Sequence, residues 1–270
     1  MTREKRPEYG KTESSAGSFR SRSPRTACLS HMAKTMTEIY RIADVTVEIT
    51  SLHEAVHRLC RDYRAEGEPD FRVEITPDDL ERERSRAAGD YSGAYLETLA
   101  VCRKIAEKMP DYDTILMHGS AVAVDGKGYL FTAKSGTGKS THARLGQEVF
   151  GQRAVMVNDD KPFVKIGKSG ATVCGTPLNG KHRLGNNIAV PLCAVCVLER
   201  AEENAVWKIA KAEAYPALIR QTYRPADPAA LTKTLTLIDR LTDAAGLFRL
   251  GCNMDREAVE VAYGGMRPRP

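Results

Sequence analysis

The 270-residue sequence predicts a mixed α/β fold, with one mixed sheet, flanking helices and a small α+β lobe ahead of them. Three observations lead there. Residues 112–211 hold a series of short apolar runs punctuated by turn residues, the pattern of buried strands. Some of these runs are joined by turns as short as Asp125-Gly126, so neighbours run antiparallel and the sheet is not purely parallel. Residues 128–150 read strand, glycine-rich turn, helix, and residues beyond 212 read as helices. The expected divisions are a basic tail at 1–36, a small lobe with its helix at 37–111, and a main domain with C-terminal helices at 112–270.

The tail is rich in Ser and Arg, poor in large apolar residues, and expected to be disordered. Residues 1–35 hold eight Lys/Arg and three Glu, which accounts for the whole formal charge of +5 and leaves 32 basic and 32 acidic side chains in 36–270. That balance offers the body of the protein no electrostatic footprint for nucleic acid. The tail lacks the continuous apolar stretch of a secretory signal, and Met32 and Met36 are alternative starts. No run approaches the roughly 18 apolar residues of a membrane span. Seven cysteines share no repeating spacing. Cys193-Ala-Val-Cys196 lies in an apolar strand, where residues three apart face opposite sides, so buried thiols suit it better than a zinc or redox pair. These features predict a cytoplasmic protein without membrane or nucleic-acid partners.

In the lobe, 45–49 and 71–75 alternate as strands. Residues 52–65 between them read as a helix with Ala55, Val56, Leu59 and Cys60 inward. Residues 78–89 are highly charged and read as a solvated connection. Residues 95–109 form an amphipathic helix, with Leu96, Leu99, Cys102, Ile105, Ala106 and Met109 on one face and Pro110 beyond its end. In the main domain, 114–124 and 129–132 read as one hairpin, and 163–166 with 171–174 as another across 167–170. Two further strands, 189–198 and 205–209, are joined by the polar turn 202–204. Helices are expected at 213–223, 228–244 and 256–266, with a short edge strand at 248–250.

Residues 133–140, Ala-Lys-Ser-Gly-Thr-Gly-Lys-Ser, fit the phosphate-binding pattern Ala/Gly-x-x-x-x-Gly-Lys-Ser/Thr. Gly136 and Gly138 let the backbone curl so that its N–H groups face phosphate oxygens. Lys139 reaches the β and γ phosphates, and Ser140 offers its hydroxyl to Mg²⁺. The following helix adds its positive N-terminal end. Ala133, Lys134, Ser135, Gly136, Thr137, Gly138, Lys139, Ser140 and Thr141 are therefore the expected nucleotide-binding residues. A glycine-rich hairpin loop is the plain alternative. Twenty residues on, Asn158-Asp159-Asp160 ends an apolar strand, where a carboxylate can hold a metal and a neighbour can accept a hydroxyl proton. A simple turn is the alternative there.

Met117-His-Gly-Ser-Ala121, the glycine-rich octet and Asn158-Asp-Asp160, in that order, resemble the catalytic domain of bacterial HPr serine kinase/phosphorylase. They also resemble the nucleotide core of phosphoenolpyruvate carboxykinase. The likeness covers roughly 112–200 and is greatest to shorter HPr kinase-related proteins, some of them small-molecule or peptide kinases encoded beside biosynthetic genes. The resemblance implies an ATP- and Mg²⁺-dependent kinase and a possible homo-oligomer. Lys139 and Ser140 match its phosphate lysine and magnesium serine, Asp160 its proton acceptor, and His118 its active-site histidine. Asp159 would be a magnesium or supporting carboxylate. On an apolar strand a lone His is otherwise a core residue.

The chain departs from the family in lacking a Glu-x-Arg-Gly signature and a second magnesium glutamate, so the resemblance does not carry over HPr as acceptor or reverse phosphorolysis. In its place stands 175–183, ending Lys181-His-Arg183. This loop either presents Lys181 and Arg183 to a transferring phosphoryl group or is a solvated basic loop. The resulting expectation is transfer of the γ-phosphate from ATP to a serine-like hydroxyl of a small molecule, peptide or carrier protein. A non-kinase nucleotide-binding module and a carboxykinase-like lyase are the alternatives.

Overall fold

The computed structural model describes residues 35–180 and 182–267; the basic tail and Lys181 lie outside the described residues. The chain opens with β1 (Met36–Ile42), β2 (Val45–Ser51), α1 (Glu54–Cys60), β3 (Phe71–Glu74), α2 (Pro77–Arg86) and α3 (Gly93–Lys108). Next come β4 (Thr114–Leu116), β5 (Ser120–Val124), β6 (Lys127–Thr132), α4 (Lys139–Phe150), β7 (Ala154–Asn158), β8 (Phe163–Ile166) and β9 (Ala171–Cys174). The chain continues through β10 (Ala189–Arg200), β11 (Ala205–Lys208), α5 (Lys211–Gln221), α6 (Pro228–Ala244), β12 (Gly246–Cys252) and α7 (Glu257–Met266).

Two sheets result. β1, β2 and β3 form the smaller one, with β1–β2 antiparallel and β2–β3 parallel. The larger sheet has nine strands and turns on the long β10. The first residues of β10 pair antiparallel with β9, which leads on to β8 and β4. Its later residues lie parallel to both β6 and β12. β5 and β7 extend the sheet beyond β6, and β11 closes it beyond β12, all by antiparallel pairing. The sheet is therefore mixed.

Strand alternation sends side chains to two separate cores. Leu130 of β6 and Val195 of β10 pack with Leu218 of α5 and Leu237, Ile238 and Leu241 of α6. Tyr129, Phe131, Ala194 and Cys196 face the other way, onto Ala143 of α4 and Val259, Ala262 and Tyr263 of α7. The lobe makes a third core, in which Val47, Val56 and Ile105 join Leu116, Phe163 and Cys174 from the β4–β8–β9 edge.

Four expectations are corrected. The charged stretch 78–89 is largely helix, α2, whose Asp79 and Glu83 turn inward onto Arg103. Pro77 in its first turn and the bond from the Thr76 amide to the Asp79 carboxylate (3.0 Å) start it. The helix expected over 52–65 ends at Cys60 and tightens into a 3₁₀ turn. The run 114–124 is two strands, β4 and β5, because the backbone leaves the sheet at Met117–Gly119: the His118 amide bonds the Gln221 carbonyl (2.7 Å) and the Gly119 amide that of Asp160 (2.9 Å). The strand expected at 248–250 is the seven-residue β12, which is internal; β11 is the edge. β1 was not anticipated, and β11 pairs with β12 rather than with the strand that precedes it.

Candidate active site

The glycine-rich loop joins the end of β6 to α4. Gly136 and Gly138 have φ of +79° and +120°, a conformation that side-chain-bearing residues rarely adopt, so the sequence places glycine where the curl needs it. Lys134, Ser135 and Gly136 are exposed, whereas Lys139 is buried at the start of α4. The Lys139 Nζ bonds the carbonyl of Ala133 (3.0 Å) and approaches that of Lys134 (3.5 Å). Burial draws the Lys139 ammonium below the usual lysine range, and the Asp160 charge opposes this. Arg200, at the end of β10, braces the loop from one flank by donating to the Gly136 carbonyl (2.6 Å).

β7 ends beside the loop. Ser140 Oγ and Ser120 Oγ both donate to the Asp159 carbonyl (3.1 Å each) and lie 3.3 Å apart. Asn158 shapes the turn: its side-chain oxygen accepts the amides of Asp160 (2.9 Å) and Lys161 (2.6 Å), and its amide nitrogen reaches the Thr176 carbonyl (3.2 Å). The Asp159 carboxylate is buried and accepts the Gly180 amide (2.7 Å), which ties the 175–183 loop to the site. Asp160 points elsewhere, with its Oδ1 3.6 Å from His118 Nε2 and its Oδ2 3.9 Å from Lys161 Nζ.

His118 is half-buried. Its carbonyl accepts the Thr132 hydroxyl (2.9 Å), and its Nδ1 pairs with Gln221 Oε1 (2.9 Å). Burial and the Lys139 charge push the imidazole below its ordinary range; Asp160 and Gln221 act in the other direction. With Gln221 as acceptor, Nδ1 carries the proton and the Nε2 lone pair faces Asp160. Both groups are then acceptors, so a hydroxyl entering the gap can donate its one proton to either.

His118, Ala133 to Thr141, Asp159 and Asp160 thus come together. Arg183 is exposed on the adjoining loop with φ of +51°, and Lys181 lies outside the described residues. Sequence reasoning missed three contributors. Ser120 stood within the Met-His-Gly-Ser-Ala segment without a role. Arg200 and Gln221 had no local signal, since each reaches the site from a distant element.

A family model described as SynChlorMet cassette protein ScmC matches residues 90–226, about half of the chain. The chain belongs to the ScmC family. The region matched to ScmC runs from just before α3 to just past α5, and so includes the glycine-rich loop, the acidic pair and Gln221. No curated protein matches the chain. Among solved structures, the HPr(Ser) kinase/phosphatase from Coxiella burnetii is similar at 15% identity over 47% of this chain and 96% of that one, with a TM-score of 0.26. Among the described residues no helix is long and apolar enough to cross a membrane.

Proposed function

We propose that the protein is a phosphotransferase moving the γ-phosphoryl group of ATP to an acceptor hydroxyl. The observation that supports this best is the 3.1 Å bond from Ser140, in the glycine-rich loop, to the backbone of Asp159. It fixes the phosphate-type loop against the strand end that bears Asp160.

In this reading the loop amides and Lys139 hold the β and γ phosphates of the donor. The acceptor oxygen attacks the γ phosphorus, a new O–P bond forms, and the bond to the β–γ bridging oxygen breaks to leave ADP. Asp160 takes the hydroxyl proton, and His118, with its Nε2 3.6 Å from Asp160, lines the same gap. Ser140 and the second carboxylate oxygen of Asp159 are hard oxygen donors, which fits Mg²⁺. Among the described residues there is no cluster of three or more His, Cys, Asp or Glu that could hold a metal ion. Bound there, Mg²⁺ would neutralise phosphate charge.

The test is ³¹P NMR of the purified protein with Mg-ATP and pooled hydroxyl acceptors. A new phosphomonoester signal that disappears in Asp160→Asn supports the reading. Nucleotide binding without any phosphoester would overturn it in favour of a regulatory nucleotide module.

A further inference from the structure

A cleft of about 660 Å³ opens on Asp160 from the side of the lobe. Its walls are α1, the start of α3, and the loop that Asp159 anchors through Gly180. Neither Arg200 nor any residue of the glycine-rich loop lines it.

The lining is chemically one-sided. Arg58, Lys161 and Arg183 bring three cations, and Asp160 is the one acid among the described lining residues. Among the described residues Arg58 is held only by a loose, exposed contact to Glu54 at 3.4 Å, and Lys161 leans on Asp160 at 3.9 Å. Arg183 has no carboxylate partner among the described residues. Leu59, Tyr95, Leu99 and Leu178 supply an apolar wall. Tyr95 is 48% exposed and packs 5.1 Å from the ring of Tyr91, itself 46% exposed, leaving an aromatic pair in solvent. Surplus positive charge beside exposed aromatic surface and a candidate base is a binding environment for an anion with an apolar portion. The volume is that of a small-molecule site.

Building on the phosphotransferase reading, we infer that this cleft is the acceptor site and that it selects a small hydroxy acid. The acceptor carries a carboxylate for Arg58 and Arg183, an apolar group for the Tyr95 wall, and its hydroxyl at Asp160. Arginine suits the first task because its planar fork matches a carboxylate with two parallel hydrogen bonds.

N-benzoyl-L-serine has all three features, and N-benzoyl-L-serinamide lacks only the charge. Each is titrated against the full chain by NMR, with and without Mg-ATP. The acid is expected to bind about tenfold or more tightly than the amide. Arg58→Ala and Arg183→Ala should each weaken the acid about tenfold and leave the amide unchanged. Equal binding of acid and amide, no binding of either, or indifference of the acid to both arginines overturns the inference. Acid bound in this way but never phosphorylated would remove the transfer step and leave an acid-binding cleft. Transfer to a neutral acceptor, at a KM that Arg58→Ala does not change, would remove the cleft and leave the transferase.

Discussion

In the lobe, the nearly buried Arg103 guanidinium meets Glu83 at 2.6 Å, Asp79 at 3.2 Å and Glu107 at 3.4 Å, while Lys104 reaches Asp79 at 2.6 Å. Glu97, fully buried, accepts the amides of Leu52 and His53 and pairs with the His53 ring. In the candidate site the charged contacts are longer, at 3.6 Å from His118 to Asp160 and 3.9 Å from Lys161 to Asp160, and the buried Lys139 turns to carbonyls instead of a carboxylate. Both regions bury charge. The lobe saturates it with partners, which holds elements together; the site leaves bonding capacity unused, which is what a ligand needs.

The largest effects expected from this contrast are at the site. Lys139→Ala should abolish nucleotide binding or turnover. Asp160→Asn should keep nucleotide binding and lower transfer by about 10² to 10⁴. Neither should lower the melting temperature appreciably, since neither group completes a buried pair. Retained transfer in Asp160→Asn would remove Asp160 as the base.

Arg103→Ala should do the reverse. It leaves Glu83 buried without its cation and Asp79 with Lys104 alone, a loss of about 3–5 kcal/mol measurable by chemical denaturation. A fully stable Arg103→Ala would show that the lobe's network is not structural. The same network predicts a pH effect. Burial works against the Asp79 carboxylate, but hydrogen bonds from Lys104 and Thr76 outweigh it and hold the group at about 2, below its ordinary 3.8. Its contribution to stability is therefore complete above pH 3.8 and is lost as pH falls through about 2. Urea midpoints measured between pH 2 and 5 should show this fall, and Asp79→Asn should flatten it.

Gly138→Ala places a side chain at φ of +120°, at a cost of about 1–3 kcal/mol in local strain, and should weaken nucleotide binding more than it changes global stability. The smallest effect is expected at Gln221. Gln221→Leu removes the Nδ1 partner of His118 and should lower kcat about tenfold. It should also lower the imidazole pKa further, because Gln221 now raises it. Gln221→Glu should move the pH profile the other way. Unchanged pH profiles in both variants would assign Gln221 a packing role only.

Much of this was legible in the sequence because it is local. The α4 turn, the β8–β9 hairpin and α6 follow from glycine placement, short turns and helical periodicity, which act within a few residues. The α2 helix was misread because charge predicts solvent, whereas Asp79 and Glu83 find Arg103 some twenty residues away. β12 was undervalued because a strand's rank in a sheet depends on its neighbours. His118 and His142 look alike on paper. His142 packs edge-on against Phe131 at 4.5 Å, and burial pushes it down to about 4, so it stays neutral in the core. His118 instead sits where the chain breaks from the sheet between β4 and β5.

By itself the sequence determined the mixed α/β class, the glycine-rich loop and the acidic strand end, since each is written in contiguous residues whose conformational limits do not depend on the rest of the chain. Only the tertiary structure decided that Gln221, 103 residues from His118, would pair with its ring, and that the lobe would wall a cationic cleft beside Asp160. Those contacts arise from how separate cores stack on a curled sheet, and no local propensity encodes that.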